Sequence, residues 1–446
     1  MISRERAKKI VKEALSASSA DETLVVLSGG KSALTRFCKN HIHQNVLQKD
    51  YNVTVVTAFG KRVGVASSNL FDGGELERIV DVASNVARRQ KEDPLWEPLA
   101  EKVDYVAPED VYDEETIGKS PSEKADGVSK MIAHCKAAHC QAAGAFSNGD
   151  NLLCVATSHG LMAYHSWTSA ELTLTVETEG GASGWSEAYS NSIGELDLDL
   201  LTANALEKAQ LARNPIEIEA GKYDTLLEAS ATATMLRYMS IVGFGGLAFN
   251  EGRSFLSERL GEKVMGENIN IRDDYLSGSK KGLPFDFEGF PRKQLLIVDR
   301  GVAKSVAHSR RTAAKANAQN TGHALPYPAT MGPIPLNIHL EGGSTSKEEQ
   351  LKGLDKGLLI TRTWYESIVD PKLPSLTGMS RDGTYLVENG EIKAAVKNIR
   401  FNEDLRDLLC RVQSLSSKRE TMASWGLTVT APSVVVKDFN VSGQTK

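Results

Sequence analysis

Across residues 170–179 the chain alternates strictly: Leu172, Leu174 and Val176 are apolar, while Thr173, Thr175 and Glu177 are polar. A period of two belongs to a strand, whose successive side chains point to opposite faces. Such a segment needs a core on one side and tolerates water on the other, the usual condition of an antiparallel sheet. Residues 52–59 (NVTVVTAF) add a run rich in β-branched residues. Further strands are predicted at 24–28, 61–67 (a hairpin return through Gly60), 151–158, 160–167 and 223–228.

Helical spacing marks other segments. Ala7, Ile10, Val11, Ala14 and Leu15 predict an amphipathic helix over 5–16, and Leu76, Ile79, Val80, Ala83 and Val86 predict a second. Ser122 reads as the N-cap of a helix to about 138, and Asn402 as the N-cap of one carrying Leu405, Leu408, Leu409 and Val412. Two more helices are expected at 201–213 and 231–242. Residues 93–121, rich in Pro, Asp and Glu, read as a linker, and Asn214-Pro215 as a second boundary. This division gives an N-terminal α+β domain (1–105), a central α+β domain (106–215) and a β-rich C-terminal domain (216–446). The fold class expected is α+β, with mixed, mostly antiparallel sheets and flanking helices. Residues 275–291 and 320–348 are long Gly/Pro-rich connections, a length uncommon unless the segment is functional or packed.

Charge and composition exclude several classes. The net charge is −5, without the clustered Lys and Arg of a nucleic-acid-binding face. No run approaches the roughly 18 apolar residues that span a membrane. The N-terminal segment has no continuous apolar core of a signal peptide. Five cysteines at irregular spacing suggest no disulfide framework, so a reducing, cytoplasmic setting is expected.

The residues themselves show no catalytic pattern. There is no HExxH or HExxxH. Cys135 and His139 are four apart, but with Val128, Met131 and Ile132 they read as one apolar helix stripe. His41 and His43 alternate along an extended segment. Gly30-Lys31-Ser32 lacks the first glycine of a phosphate loop, since Val25 stands there, and reads as a turn. Gly243-Phe244-Gly245-Gly246 reads as flexible backbone at a helix end. Cys410 has no base beside it in sequence. The acidic pairs Asp273-Asp274, Asp286/Glu288 and Glu388/Glu391 read as solvated or capping groups.

Residues 251–274 read EGRSFLSERLGEKVMGENINIRDD. With Thr35-Arg36-Phe37, Ser158-His159-Gly160-Leu161, Pro284-Phe285-Asp286, Gly322-His323-Ala324, Lys356-Gly357-Leu358-Leu359-Ile360 and Arg381-Asp382-Gly383, this stretch resembles the TldD/PmbA metallopeptidase family, in its PmbA (TldE) branch. The order and spacing of these pieces, across nearly the whole chain, carry the resemblance. Catalytic members of that family bind zinc through HExxxH and a C-terminal cysteine. Here the motif's place falls on Arg237, Tyr238 and Ile241, and the cysteine's place on residues 421–426, which contain none.

The resemblance therefore implies a noncatalytic subunit without catalytic residues, metal or other cofactor of its own. Zinc is expected on a TldD-like partner chain, with unfolded peptide as the substrate of the complex. Gly252, Arg253, Ser254, Arg381 and Asp382 are the candidate peptide or partner contacts. One alternative is a homodimeric peptidase drawing ligands from His41, His43, His323 or His339. Another is a regulatory binding protein of the "modulator of DNA gyrase" type, acting by protein contact rather than on DNA directly.

Overall fold

A computed structural model describes residues 2–444 except Gly73 and Trp425. The chain is an α+β protein, as expected. Its first half contains α1 (Arg4–Ser16), β1 (Glu22–Cys38), β2 (His41–Phe59), β3 (Arg62–Ser68), α2 (Glu75–Arg89), α3 (Glu114–Gly118), α4 (Pro121–Ala137), β4 (Cys140–Thr157), β5 (Met162–Thr178), β6 (Ser183–Ser190) and α5 (Leu198–Leu211). The six strands form one antiparallel sheet in the order β3-β2-β1-β4-β5-β6. The alternation at 170–179 is realised in β5, where Leu172, Leu174 and Val176 are fully buried.

Amphipathic helices cover the sheet. α1 and α2 bury Ile10, Val11, Ile79 and Val80 against Val25, Leu27, Val53 and Val55. α4 and α5 cover Phe146, Leu172 and Leu174. Against the other face of β1 and β2 lie Trp96, Leu99 and Ala100, from the segment expected to be a linker. Trp96 Nε1 and the Leu99 N–H donate to Glu22 at 2.6 and 3.0 Å, fixing that segment on the sheet. β1 and β4 pair from Leu24↔Thr157 to Phe37↔Gly144, so the sheet draws strands from both sides of residue 105.

Several local expectations change. Gly30 is not in a turn but in the middle of β1, between β2 and β4; a Cβ there would meet the Asp150 carbonyl oxygen at 1.9 Å. The N-cap of α4 is Ser120, not Ser122, in a capping box with Glu123. His139 lies beyond that helix in a left-handed turn (φ 54°), so it does not share the stripe of Cys135. Asn402 stays in a strand, and Asp404 caps the following helix by accepting from Arg406 and Asp407 N–H.

The second half contains β7 (Gly221–Leu227), α6 (Ala229–Gly243), α7 (Gly246–Asn250), β8 (Ile271–Asp273), β9 (Leu295–Asp299), β10 (Val302–Ala303), α8 (Arg310–Ala316), β11 (Asn337–Leu340), α9 (Lys347–Lys352), β12 (Lys356–Asp370), β13 (Ser375–Glu388), β14 (Glu391–Ala395), β15 (Ile399–Asp404), α10 (Leu405–Cys410), β16 (Val412–Ser424) and β17 (Leu427–Gln444). Its mixed sheet has eleven strands. β17, β15, β13, β12 and β7 pair in succession and β7 pairs back to β17, closing a ring without a free edge. α6 buries Met235, Leu236 and Met239 in the main core, with Leu227, Leu408 and Val434. The long connections are irregular but packed: Phe285, Ala324 and Ile334 are all buried. No described helix is long and apolar enough to cross a membrane.

Candidate functional site

α6 (Ala229–Gly243) carries Arg237, Tyr238 and Ile241, the residues on which the resemblance sets the family's zinc motif. Glu228, just before it, is buried and meets Lys208 Nζ at 2.7 Å and Lys347 Nζ at 2.9 Å. Burial pushes its carboxyl up, but the two ammonium groups outweigh burial and hold it below the usual range. One turn after another, α6 turns Met235 and Met239 inward and leaves Arg237, Tyr238 and Ile241 half-buried on its other side. The Arg237 guanidinium lies 5.0 Å from the Tyr238 ring centre, and Tyr238 Oη donates to the Glu366 carbonyl at 3.1 Å.

These residues do not fit zinc. A guanidinium stays protonated and has no lone pair to give. Ile241, and Val242 five residues after Arg237, carry no donor atom. Burial pushes the Tyr238 phenol further from ionisation. Residues 421–424 and 426 lie around the β16–β17 turn and supply no thiol; Trp425 is outside the described residues. Cys410 ends α10 with Sγ directed at the Val264 carbonyl, and burial pushes its thiol up. Among the described residues no group of three or more His, Cys, Asp or Glu could hold a metal ion.

The four histidines of the alternative reading do not converge. His41 and His43 are exposed on β2. His323 and His339 are buried in the second half, where they serve a polar network that sequence spacing does not reveal. Asp273 is fully buried and accepts from Arg292 (2.5 Å), His323 Nε2 (2.9 Å) and the Asn337 N–H (2.7 Å). His323 Nδ1 meets Thr321 Oγ1 at 2.9 Å, and His339 Nε2 donates to the Asp274 carbonyl at 3.0 Å. The order Asp273–His323–Thr321 imitates a carboxylate–imidazole–hydroxyl relay. However, Thr321 donates to the His308 carbonyl and the imidazole is shut from solvent, so no nucleophile is presented. Burial holds His323 below its ordinary pKa despite the Asp273 charge.

Asp286 and Glu288 are likewise buried, not solvated. Asp286 accepts N–H bonds from Glu288, Phe290 and Ala324 at 2.9–3.0 Å. Glu288 holds Tyr327 Oη at 2.6 Å and Arg310 Nε at 3.2 Å, and Arg310 stacks 4.1 Å from the Trp96 ring centre. Burial, then the Glu288 charge, push Asp286 up to about 7 against its N–H donors. A folded pKa above the unfolded value of about 3.9 makes the fold take up a proton as pH falls from 7 towards 4. That contribution is complete below about 4 and lost as pH rises through 7. The melting-temperature difference between wild type and Asp286→Asn is therefore expected to widen as pH drops from about 8 to about 5. Thermal melts across that range check it; a narrowing difference would mean that Asp286 is ionised in the fold.

The candidate contact residues fall in two places. Gly252 follows α7 at φ 67°, and Ser254 is buried with Oγ donating to the Gly243 carbonyl. Both line a cleft of about 820 Å³. Arg253 pairs with Glu251 (Nε–O 2.8 Å) and is exposed, outside that lining. The glycines before it are closely packed: a Cβ on Gly243 would meet Phe255, and one on Gly246 would meet His308. That packing replaces the expectation of flexible backbone. Arg381 is exposed, 4.9 Å from the Trp364 ring centre. Asp382 is buried at φ 55°, accepting from Arg362 Nε (2.7 Å) and Ser183 Oγ (2.6 Å), and so ties β13 to β6 of the first sheet. No hydrogen bond or ion pair joins the two groups of residues among those described.

Comparison with known proteins bears on the family and the fold. Residues 220–443 match the PmbA/TldA metallopeptidase C-terminal domain. The chain is 24% identical to the metalloprotease PmbA of Escherichia coli O157:H7, over 99% of this chain and 98% of that one. TldE from Thermococcus kodakarensis superposes with a TM-score of 0.89 at 18% identity, covering 98% of this chain and 99% of that one. A putative modulator of a DNA gyrase from Thermotoga maritima gives 0.87 at 20% identity, covering 98% and 100%. With its second half matched throughout, the chain belongs to the PmbA/TldD metallopeptidase family.

Proposed function

We propose that this chain is a noncatalytic, PmbA/TldE-like subunit that works with a TldD-like zinc chain on unfolded peptides. The observation that supports this reading is the half-buried face of α6, whose Arg237, Tyr238 and Ile241, set by the resemblance at the metal-binding motif, form no metal-binding group. Catalytic zinc needs about three protein ligands and an open position, and this face offers none of them. In this reading the chain's task is to bind and enclose. Gly252 and Ser254 at the cleft, with Arg253 and Arg381 on the surface, supply peptide or partner contacts, while buried Asp382 holds that stretch of β13 in place.

Elemental analysis and a peptidase assay on the purified chain test the proposal. The expected result is no stoichiometric zinc and no cleavage of an unfolded protein by the chain alone. Cleavage is expected once an HExxxH-bearing chain from the same host is added. Stoichiometric zinc together with activity of the isolated chain would overturn the proposal.

A further inference from the structure

We infer that the cleft beside Gly252 binds an acidic, partly apolar polypeptide segment. This extends the contact role proposed for Gly252 and Ser254 by giving the ligand its chemistry. Four separate segments each bring one cation to the lining: Arg259 after α7, Lys315 at the end of α8, Lys372 in the β12–β13 turn and Arg406 in α10. The lining has a single acid, Glu258, in a left-handed backbone conformation (φ 63°). On a chain of net charge −5, this is a local excess of positive charge, the complement of an anionic partner.

The cations are available to a ligand. Arg259, Lys315 and Lys372 are exposed and make no ion pair among the described residues. Arg406 has only a long pairing of 3.8 Å with Asp404. Two neighbouring acids accept backbone N–H bonds of their own segments: Asp370 from Lys372, and Asp404 from Arg406 and Asp407. Between the cations lie Phe249, Phe255 and the exposed Leu373, so the lining suits apolar side chains as well as carboxylates. The walls are braced before any ligand arrives. Asn250 Nδ2 donates to the Thr312 carbonyl and Ser257 Oγ to the Phe249 carbonyl, locking α7, α8 and the intervening loop together. A volume of about 820 Å³ is within the usual range for ligand clefts, and a polypeptide can present several carboxylates to cations carried on four segments.

The test uses the isolated full chain and a fluorescein-labelled peptide of alternating Glu and Leu, followed by fluorescence anisotropy. Saturable binding is expected, weakening as salt rises from about 0.05 to about 0.5 M. Each of Arg259→Glu, Lys315→Glu and Lys372→Glu is expected to weaken it about tenfold. Lys12→Glu on α1 makes the same change in net charge away from the cleft and should leave binding unaltered. Circular dichroism confirms that the variants fold. Absence of binding to wild type, equal binding of a control peptide with Gln in place of every Glu, or cleft variants that bind like wild type would overturn the inference. Tighter binding of an oligothymidylate would also overturn it, in favour of a phosphodiester ligand. Because no partner chain or zinc enters this experiment, its failure leaves the noncatalytic reading untouched.

Discussion

Asp273→Ala is expected to cost about 3–5 kcal/mol of stability, because it strips the counter-charge from a buried cation. Arg292 is sealed in the core, its side chain 2% exposed, and its partner carboxylate is 0% exposed. Removing the carboxylate also takes an acceptor from His323 and from the Asn337 N–H, neither of which can reach water. The loss should appear as a large fall in the urea midpoint with little change in slope. A second substitution, Arg292→Met, should recover a substantial part of it, since an apolar pair of similar volume avoids the desolvation problem. If the double variant is no more stable than Asp273→Ala, the cost lies in the Asn337 and His323 bonds instead. The pair also makes the fold acid-sensitive: Asp273 is held well below the usual carboxylate range, so its contribution is present above about pH 4 and lost as pH falls.

Phe285→Ala should be comparably severe, about 3–5 kcal/mol for a fully buried aromatic. Its ring belongs to a connection of the second half yet lies in the core of the first sheet, with Leu24, Val26 and Val155. It meets Tyr105 edge-on at a centroid distance of 4.8 Å. The consequence therefore exceeds a cavity. With this anchor gone, the two halves should lose cooperativity, and calorimetry should resolve two transitions where wild type gives a more concerted one. A single transition shifted to lower temperature would mean that Asp382, Arg310 and their neighbours hold the halves together unaided.

Periodicity made the strands and helices of the first half legible, because each element there is amphipathic and its neighbours are close in sequence. It could not show that 93–105 lines the sheet, since Trp96 and Leu99 are held by tertiary contacts with Glu22 rather than by any local pattern. The Gly30 turn failed for a related reason. A glycine in a strand marks close backbone approach, and only the pairing with β4 discloses what approaches. The setting of the zinc motif on Arg237, Tyr238 and Ile241 came from resemblance alone, since no pattern in those residues points to a metal. The Asp273–Arg292–His323 network was not readable, because its members come from positions 19 to 50 residues apart with no repeating interval. The cationic cleft was equally hidden: its four charges lie on four segments and become a cluster only in the fold.

The closed ring of strands also dictates a timetable for synthesis. Residues 221–227 leave the ribosome early, but one of their hydrogen-bonding neighbours is β12 and the other is β17, residues 427–444. Until those are made, β7 is a naked strand edge behind an already completed six-stranded sheet. Such an exposed intermediate is what chaperones recognise and what aggregation exploits. The nascent chain's dependence on a holdase should accordingly be concentrated in the interval between the emergence of β7 and that of β17.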